Sequence, residues 1–259
     1  MRRVYRFFRL FGFDARQFLS TTKGISRYNR NLRELKKQKG SDTTFRLGNR
    51  FPILNEWSEE AGVVSGHYFH QDLFVAQKVH ENNPVRHIDI GSRIDGFVAH
   101  VASFRQIEIL DIREIKTAVK NVKFTRADLM QLPENLVRST DSMSCLHALE
   151  HFGLGRYGDP IDYTGHLKGF RNMTQILKPG GKFYFSTPIG EQRIEFNAHR
   201  VFSVAYLLDL FASDFTVDSF SYVDDKGDFH PDQPLVKENI AGNFGCTYGC
   251  GIFELSKKQ

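Results

Sequence analysis

Three side chains within five positions, His147, Glu150 and His151, concentrate more reactive chemistry than any other stretch of the chain. A carboxylate between two imidazoles suits general-base work. Histidine titrates near neutral pH, and a carboxylate can fix its tautomer and orientation. The spacing H-x-x-E-H also fits metal ligation, because on a helix the three residues share one face. No distal third ligand is evident and the segment follows a strand, so no metal is expected. Two readings stay open: a histidine base with its orienter, or a structural hydrogen-bonded pair of Glu150 and His151.

A second group is Asp89, Gly91, Ser92, Arg93 and Asp111. Asp89 lies in a short buried-strand run, and Asp111, 22 positions later, closes the next strand. An acidic residue there is placed to hydrogen-bond a ribose diol. A third group lies in the glycine-rich stretch Gly153–Asp159, where Arg156, Tyr157 and Asp159 offer hydrogen bonds to a polyol; the bland alternative is a tight turn before a helix. Asn197, His199 and Arg200 follow the fifth strand. They either line an acceptor site or cap the next helix.

The elements that must position these groups follow from periodicity. Arg86–Ile90 and Ile107–Ile112 read as buried strands, with helical spacing over Phe97–Phe104 between them. Gly66–Glu81 reads as a helix with Tyr68, Leu73, Val75, Ala76 and Val79 inward. A short helix is expected around Glu114–Lys120, strands at Val122–Phe124, Asp141–Leu146 and Lys182–Thr187, and a helix at Thr164–Leu177 ended by Lys178-Pro179-Gly180-Gly181. Phe202–Phe211 is an amphipathic helix, and Phe215–Val223 and Tyr248–Leu255 form a final antiparallel pair. Strands alternating with helices predict a mostly parallel sheet covered on both faces.

Composition bounds the rest. A chain of 259 residues, 41% hydrophobic and 25% charged, suits one α/β domain with an extension. No apolar run reaches the ~20 residues of a membrane span, and no signal peptide is evident. Three cysteines are too few for a disulfide scaffold, which suits a reducing cytoplasm. Charge is uneven: residues 1–50 carry 14 lysines and arginines against 3 acidic residues, a balance of +11, so a total of +5 leaves −6 for the remainder. Met1–Phe13 reads as a short basic amphipathic helix, with Val4, Phe7, Phe8 and Phe11 opposite Arg2, Arg6 and Arg9. It fits either an anionic membrane surface or packing on the chain's own body. Asp14 is a candidate N-cap with Gln17 at the capping-box position, and a charged helix is expected from about Ser26 to Lys39. The division expected is a basic helical arm over 1–65 and a catalytic domain over 66–259.

In order, HIDIG, ILDIR, ADLMQLP, DSMSCLHALEH and ILKPGGKFYFSTP resemble the class I S-adenosylmethionine-dependent methyltransferases over about Val85–Pro188. DIGSRIDGF, LHALEHFGLGRYGD and STPIG with HRVFS look more narrowly like a domain-of-unknown-function branch often associated with surface-polysaccharide biosynthesis. The resemblance implies a Rossmann-like α/β fold, a mostly parallel seven-stranded sheet with an antiparallel last strand, plus an N-terminal helical extension. It implies S-adenosylmethionine as cofactor. Asp89, Gly91 and Ser92 would lie in the turn beneath its methionine part, Asp111 at the ribose, Ile112 beside the adenine, Asp128 and Leu129 at the adenine edge, and Leu146 and His147 beside the methyl-sulfur centre. One departure stands out. In D-x-G-x-G-x-G, Arg93 and Asp95 occupy the second and third glycine positions, and Gly96 comes one later. Arg93 then either pairs with the cofactor carboxylate or obstructs the pocket. NAD is disfavoured, because no G-x-G-x-x-G follows the first strand.

The expected function is O-methylation of a sugar or glycolipid-type acceptor, in the cytoplasm or at the inner face of the membrane. The alternatives are a non-catalytic methyltransferase-like scaffold and a nucleic-acid methyltransferase. The acidic body, and the lack of an NPPY-type tetrapeptide after the fourth strand, count against the last.

Overall fold

A computed structural model of the chain describes residues 15–54, 62, 64–116, 118–131 and 134–259. The expected amphipathic segment Met1–Phe13 and the Asp14 cap lie outside the described residues. The chain divides into two compact units, Met1–Val63 and Val64–Gln259.

In the first unit, α1 (Ala15–Lys39) starts well before the expected Ser26. Thr22 and Gly24 are accommodated within it. Thr22 Oγ1 donates to Leu19 O at 2.9 Å, and Gly24 lets the backbone at Leu54 approach so closely that a Cβ would stand 1.8 Å from the Leu54 carbonyl oxygen. Lys36, Lys37 and Lys39 close the last turn, where cations suit the helix dipole. No helix among the described residues is long and apolar enough to cross a membrane.

The second unit begins with α2 (His67–Asn82). The strands follow as β1 (His87–Ile90), β2 (Ile107–Asp111), β3 (Val122–Arg126), β4 (Thr140–Leu146), β5 (Leu177–Ile189), the small hairpin β6 (Arg193–Glu195) and β7 (His199–Val201), β8 (Phe215–Val223), β9 (Phe229–His230) and β10 (Gly249–Lys257). Between them lie a π-turn at Ile94–Val98 that runs into α3 (Ala99–Ala102), then α4 (Gly165–Ile176), α5 (Val204–Phe211) and α6 (Lys237–Ala241). The large sheet has the order β3-β2-β1-β4-β5-β10-β8-β9. β1 to β5 pair in parallel, and β10 runs antiparallel to both β5 and β8. This is the Rossmann-like class I methyltransferase fold. Beyond the seven strands expected, β9 adds a two-residue eighth at the edge.

Alternation along β1 sends Ile88 and Ile90 to one face and His87 and Asp89 to the other. The first face packs under α4 and α5 through an aromatic cluster of Phe170, Phe183, Phe185, Phe211 and Phe253. The second buries Val75, Val79, Phe97, Val101, Ile107 and Ile109. Each such side chain contributes roughly 1.5–3 kcal/mol by leaving water.

Three expectations need correcting. On α2, Tyr68 and Leu73 point outward, 42% and 41% exposed, while Gln71 and Asp72 are buried with Val75, Ala76 and Val79. Polar partners turn that face inward: Ser186 Oγ donates to Gln71 Oε1 at 2.5 Å. No helix forms among the described residues of 112–121. Asp111 instead draws the Arg113 N–H into a local turn at 2.8 Å, and local side-chain bonds of this kind compete with a helix. Finally, Lys178–Gly181 lies inside β5 as a bulge. Thr140 pairs with Leu177 and Ser142 with Lys182, so the residues between loop out, with Gly180 at φ +74°.

Candidate functional site

A cavity of about 590 Å³ opens at the carboxyl ends of β1, β2 and β4. That is where open α/β sheets bind ligands, and the volume falls in the ligand-pocket range of roughly 300–1,000 Å³. Of the sequence-predicted residues, Gly91, Arg93, Asp111, Ile112, Asp128, Leu129, Leu146, His147, Glu150, His151, Arg156, Tyr157, Asp159 and His199 reach its wall.

Asp89 and Ser92 lie behind that wall, contrary to a direct binding role. Asp89 is fully buried. Its Oδ1 accepts from Ser92 Oγ at 2.7 Å and Ser144 Oγ at 2.5 Å, and its Oδ2 accepts from the Ser92 N–H at 3.1 Å. Burial pushes its pKa up to about 6 against the pull of those donors. Asp89 therefore shapes the turn and leaves the wall to Gly91. Gly91 has φ +67°, and a Cβ there would stand 3.1 Å from Ala148 Cβ and 4.0 Å from Asp111 Oδ2.

The two residues in place of glycine do not fill the pocket. Arg93 has φ −68° and ψ 134°, an ordinary extended conformation. Its guanidinium pairs with Asp95, Nη2 to Oδ2 at 2.7 Å, and lies 5.0 Å from the centre of the Tyr68 ring. Both partners of the pair are exposed, so Arg93 forms part of the rim. Gly96 serves another neighbour: a Cβ there would meet Asp72 Oδ2 at 2.1 Å. Asp72 is buried and its Oδ1 accepts from Gln71 Nε2 at 2.9 Å; burial raises its pKa against the pull of Gln71 and the Phe97 backbone.

At the end of β2, Asp111 is gripped by its own loop. Oδ1 accepts from Arg113 Nε at 3.1 Å and Oδ2 from Nη2 at 2.7 Å. The Arg113 guanidinium also stacks 4.3 Å from the centre of the Tyr157 ring, linking this loop to the glycine-rich one. Asp128 Oδ1 accepts the Met130 N–H at 2.9 Å, which sets the turn after β3.

The histidine group does not sit on one helical face. His147 adopts φ +50°, and only a single 3-10 turn, Leu149–His151, follows it. The three side chains converge nonetheless. His147 Nδ1–H donates to Glu150 Oε1 at 2.8 Å. His151 Nδ1–H donates to the Ala198 carbonyl at 2.7 Å, and its Nε2 stands 3.8 Å from Glu150 Oε1. Burial disfavours charge on all three. In the His147–Glu150 pair the partners overcome it: Cys250 and Glu150 hold the His147 imidazole well above its usual value, and His147 lowers Glu150. At His151 burial wins, and its pKa is lowered. His151 is thus a neutral imidazole whose tautomer leaves the Nε2 lone pair free.

In the glycine-rich loop, Asp159 is occupied. Its Oδ2 accepts the Gly153 and Gly155 N–H groups at 2.9 and 3.2 Å, and Oδ1 accepts that of Tyr157 at 3.2 Å. It builds the loop, while Arg156 and Tyr157 face outward from it. Arg156 Nη1 donates to Ala198 O at 3.0 Å, beside His151. The His199 ring packs at a tilt against Tyr248, centroids 5.1 Å apart, with burial lowering its pKa. Arg200 is buried and donates to Phe152 O at 2.6 Å and Tyr163 O at 3.1 Å, a structural tie. Sequence reasoning missed Tyr68, Arg113, Met130, Phe152, Ala198 and Tyr248 on the wall. Only Arg113 carried a signal, as the charge two positions beyond Asp111.

The family described as Caenorhabditis protein of unknown function, DUF268, matches residues 97–234, just over half of the chain. The chain belongs to the DUF268 family. Comparison with curated proteins gives no match. Among solved structures, the DUF268 chain is similar to the 1,6-didemethyltoxoflavin-N1-methyltransferase of Burkholderia thailandensis, solved with bound 1,6-didemethyltoxoflavin and S-adenosylhomocysteine, at TM-score 0.53 and 15% identity over 90% of each chain. It is similar to the N-methyltransferase NodS of Bradyrhizobium japonicum WM9 at TM-score 0.50 and 11% identity, over 88% of this chain and 98% of that one. It is also similar to the [4+2]-cyclase SpnF at TM-score 0.53 and 16% identity, over 73% and 81%. At these identities the likeness establishes the fold. The neighbours' activities differ, so the chemistry has to be argued from the site.

Proposed function

We propose that this chain is an S-adenosylmethionine-dependent methyltransferase acting on a hydroxyl of a sugar or glycolipid-type acceptor. The observation that carries the cofactor is the cradle at the ends of β1 and β2. There Gly91 leaves open a space that a Cβ would close, 4.0 Å from the Asp111 carboxylate. When bound, S-adenosylmethionine supplies an electrophilic methyl group. Asp111 would hold the ribose hydroxyls, with Ile112, Asp128 and Leu129 around the adenine and Leu146 and His147 towards the reacting end. His151 would accept the acceptor's hydroxyl proton at Nε2, held in the right tautomer by the Ala198 carbonyl. Arg156, Tyr157 and His199 give the other rim polar groups suited to a polyol. The motif resemblance supports the link to surface polysaccharide, and the basic segment 1–13 supports recruitment to an anionic membrane surface.

A second reading, a methyltransferase-like binding protein without methyl transfer, is favoured by one contact. Both Asp111 oxygens are already engaged by Arg113, so a ribose must share or displace that guanidinium. Titration calorimetry with S-adenosylhomocysteine decides between the two. Binding is expected, weakened about 10-fold or more in Asp111→Ala by loss of hydrogen bonds to a charged group. Folded protein that binds none at millimolar ligand would leave the second reading standing.

A further inference from the structure

His147 has a second nitrogen that the proposed reaction does not use. Nε2 is buried and, among the described residues, makes no hydrogen bond of ordinary length, with the Cys250 thiol as its nearest polar influence. An orphaned polar atom in a residue only 8% exposed is costly and calls for an explanation. Two further metal-type ligands converge on it: His67, the first residue of α2, and Cys250, in β10. One ligand atom from each of the three lies within 4.8 Å of the other two. The His67 ring stacks on that of His147 with centroids 5.2 Å apart and planes 12° apart, and Cys250 is free and fully buried.

We propose that His67, His147 and Cys250 form a binding site for a zinc-class divalent ion, with Glu150 as the residue that orients His147. The chemistry of the set argues for this. Two imidazoles and a thiolate are ligands that zinc prefers. The 2.8 Å bond from His147 Nδ1–H to Glu150 is the carboxylate–histidine arrangement that commonly supports a zinc ligand. An ion would replace the proton on Nε2, which otherwise has no partner among the described residues. Charge closes as well: a dication, the Cys250 thiolate and the Glu150 carboxylate sum to zero, which suits a buried place.

Tetrahedral zinc holds such atoms roughly 3.5 Å apart, so the set must contract by about 1.3 Å at most. His147 is fixed by Glu150 and Cys250 by the sheet, so the movement falls on His67. Its ring, half-buried at a helix start, must tilt out of the stack to aim at a shared ion. Three protein ligands leave one tetrahedral position, as in sites that keep a water or substrate atom. On the methyl-transfer reading, and resting on it, that position takes the acceptor oxygen, since His147 lines the cavity.

The test uses the full chain, stripped with chelator, dialysed against Zn²⁺ and freed of unbound metal. Elemental analysis should find one zinc per chain. His67→Ala and Cys250→Ser should each reduce it to background, and Glu150→Gln should weaken zinc about 10–100-fold without abolishing it. Because the serine variant changes a buried core position, a second arm loads the unaltered chain with Co²⁺. A sulfur-to-cobalt charge-transfer band is expected. Folded wild-type chain without stoichiometric zinc, zinc held equally by all variants, or a cobalt spectrum without the sulfur band would each overturn the site. S-adenosylhomocysteine affinity, measured in parallel, separates the two proposals. Uptake of zinc alone keeps the site and removes methyl transfer, and cofactor binding alone does the reverse.

Discussion

At the scale of single residues, the site separates two histidines by what their neighbours do. His147 leans on a carboxylate that favours its charged form. His151 leans on a carbonyl, and burial keeps it neutral. A base must be neutral to work, so acceptor methylation should rise with pH through a value below the ordinary histidine pKa and then level off. His151→Ala should lower kcat by roughly 10²-fold or more, remove that limb of the pH profile, and leave cofactor affinity unchanged. A profile that keeps the same limb in the variant would assign the titration to another group. A carboxylate near two imidazoles could be read from five consecutive letters. Which imidazole it holds could not, because the pairing depends on the left-handed His147 and on Ala198, 47 positions beyond His151.

At the scale of elements, the turn after β1 shows why a departure from a glycine pattern need not close a pocket. Of the three positions, only Gly91 has both a left-handed φ and a close neighbour; Arg93 is extended, and Asp95 is exposed beside it. Gly91→Ala is therefore expected to cost about 1–2 kcal/mol for the left-handed conformation alone. Asp95→Ala should stay within about 0.5 kcal/mol, as exposed substitutions do. Denaturant midpoints of the two variants check this, and equal midpoints would remove the argument. The strand positions, the helix at Gly165–Ile176 and the final antiparallel pair were legible, because apolar periodicity and Pro-Gly punctuation are local; the order of the strands in the sheet was not. The inward face of α2 was not. Gln71 and Asp72 are drawn in by Ser186 and Phe97, more than a hundred and about twenty-five residues away respectively. Likewise His67 and Cys250 give no sign of each other in the sequence, since the topology alone brings them together.

At the scale of the whole molecule, buried titratable groups set a pH window. Burial lowers His87 to about 3 and His166 to about 4. Between those values and 6.5 the unfolded chain binds protons that the folded chain does not, so stability falls as pH drops through this range. Asp89, raised to about 6, opposes this between 3.8 and 6, as does the raised Asp72, but His67, lowered to about 4, and the lowered His151 and His199 add to the fall. His147 acts on the other side. Its raised value adds stability that is full below 6.5 and is lost as pH climbs through the folded pKa. The urea midpoint, measured with chelator present, should therefore peak near neutrality and drop by pH 5. A midpoint that rises on acidification would show that these rings are not neutral inside the fold.

The placing of β10 has a consequence for how the chain is made. It follows β8 in sequence yet lies between β5 and β8, so half the sheet cannot be assembled in the order of synthesis. Until residue 257 leaves the ribosome, β5 presents a bare strand edge. Phe185 then lacks the cover of Phe253 and Phe183 that of Leu255, and β8 has no neighbour on its inner side. A nascent chain stalled before Gly249 is thus an open-edged, aromatic-rich intermediate of the kind that pairs with other chains. The interval between translating β5 and releasing β10 is the one in which this protein most needs a chaperone.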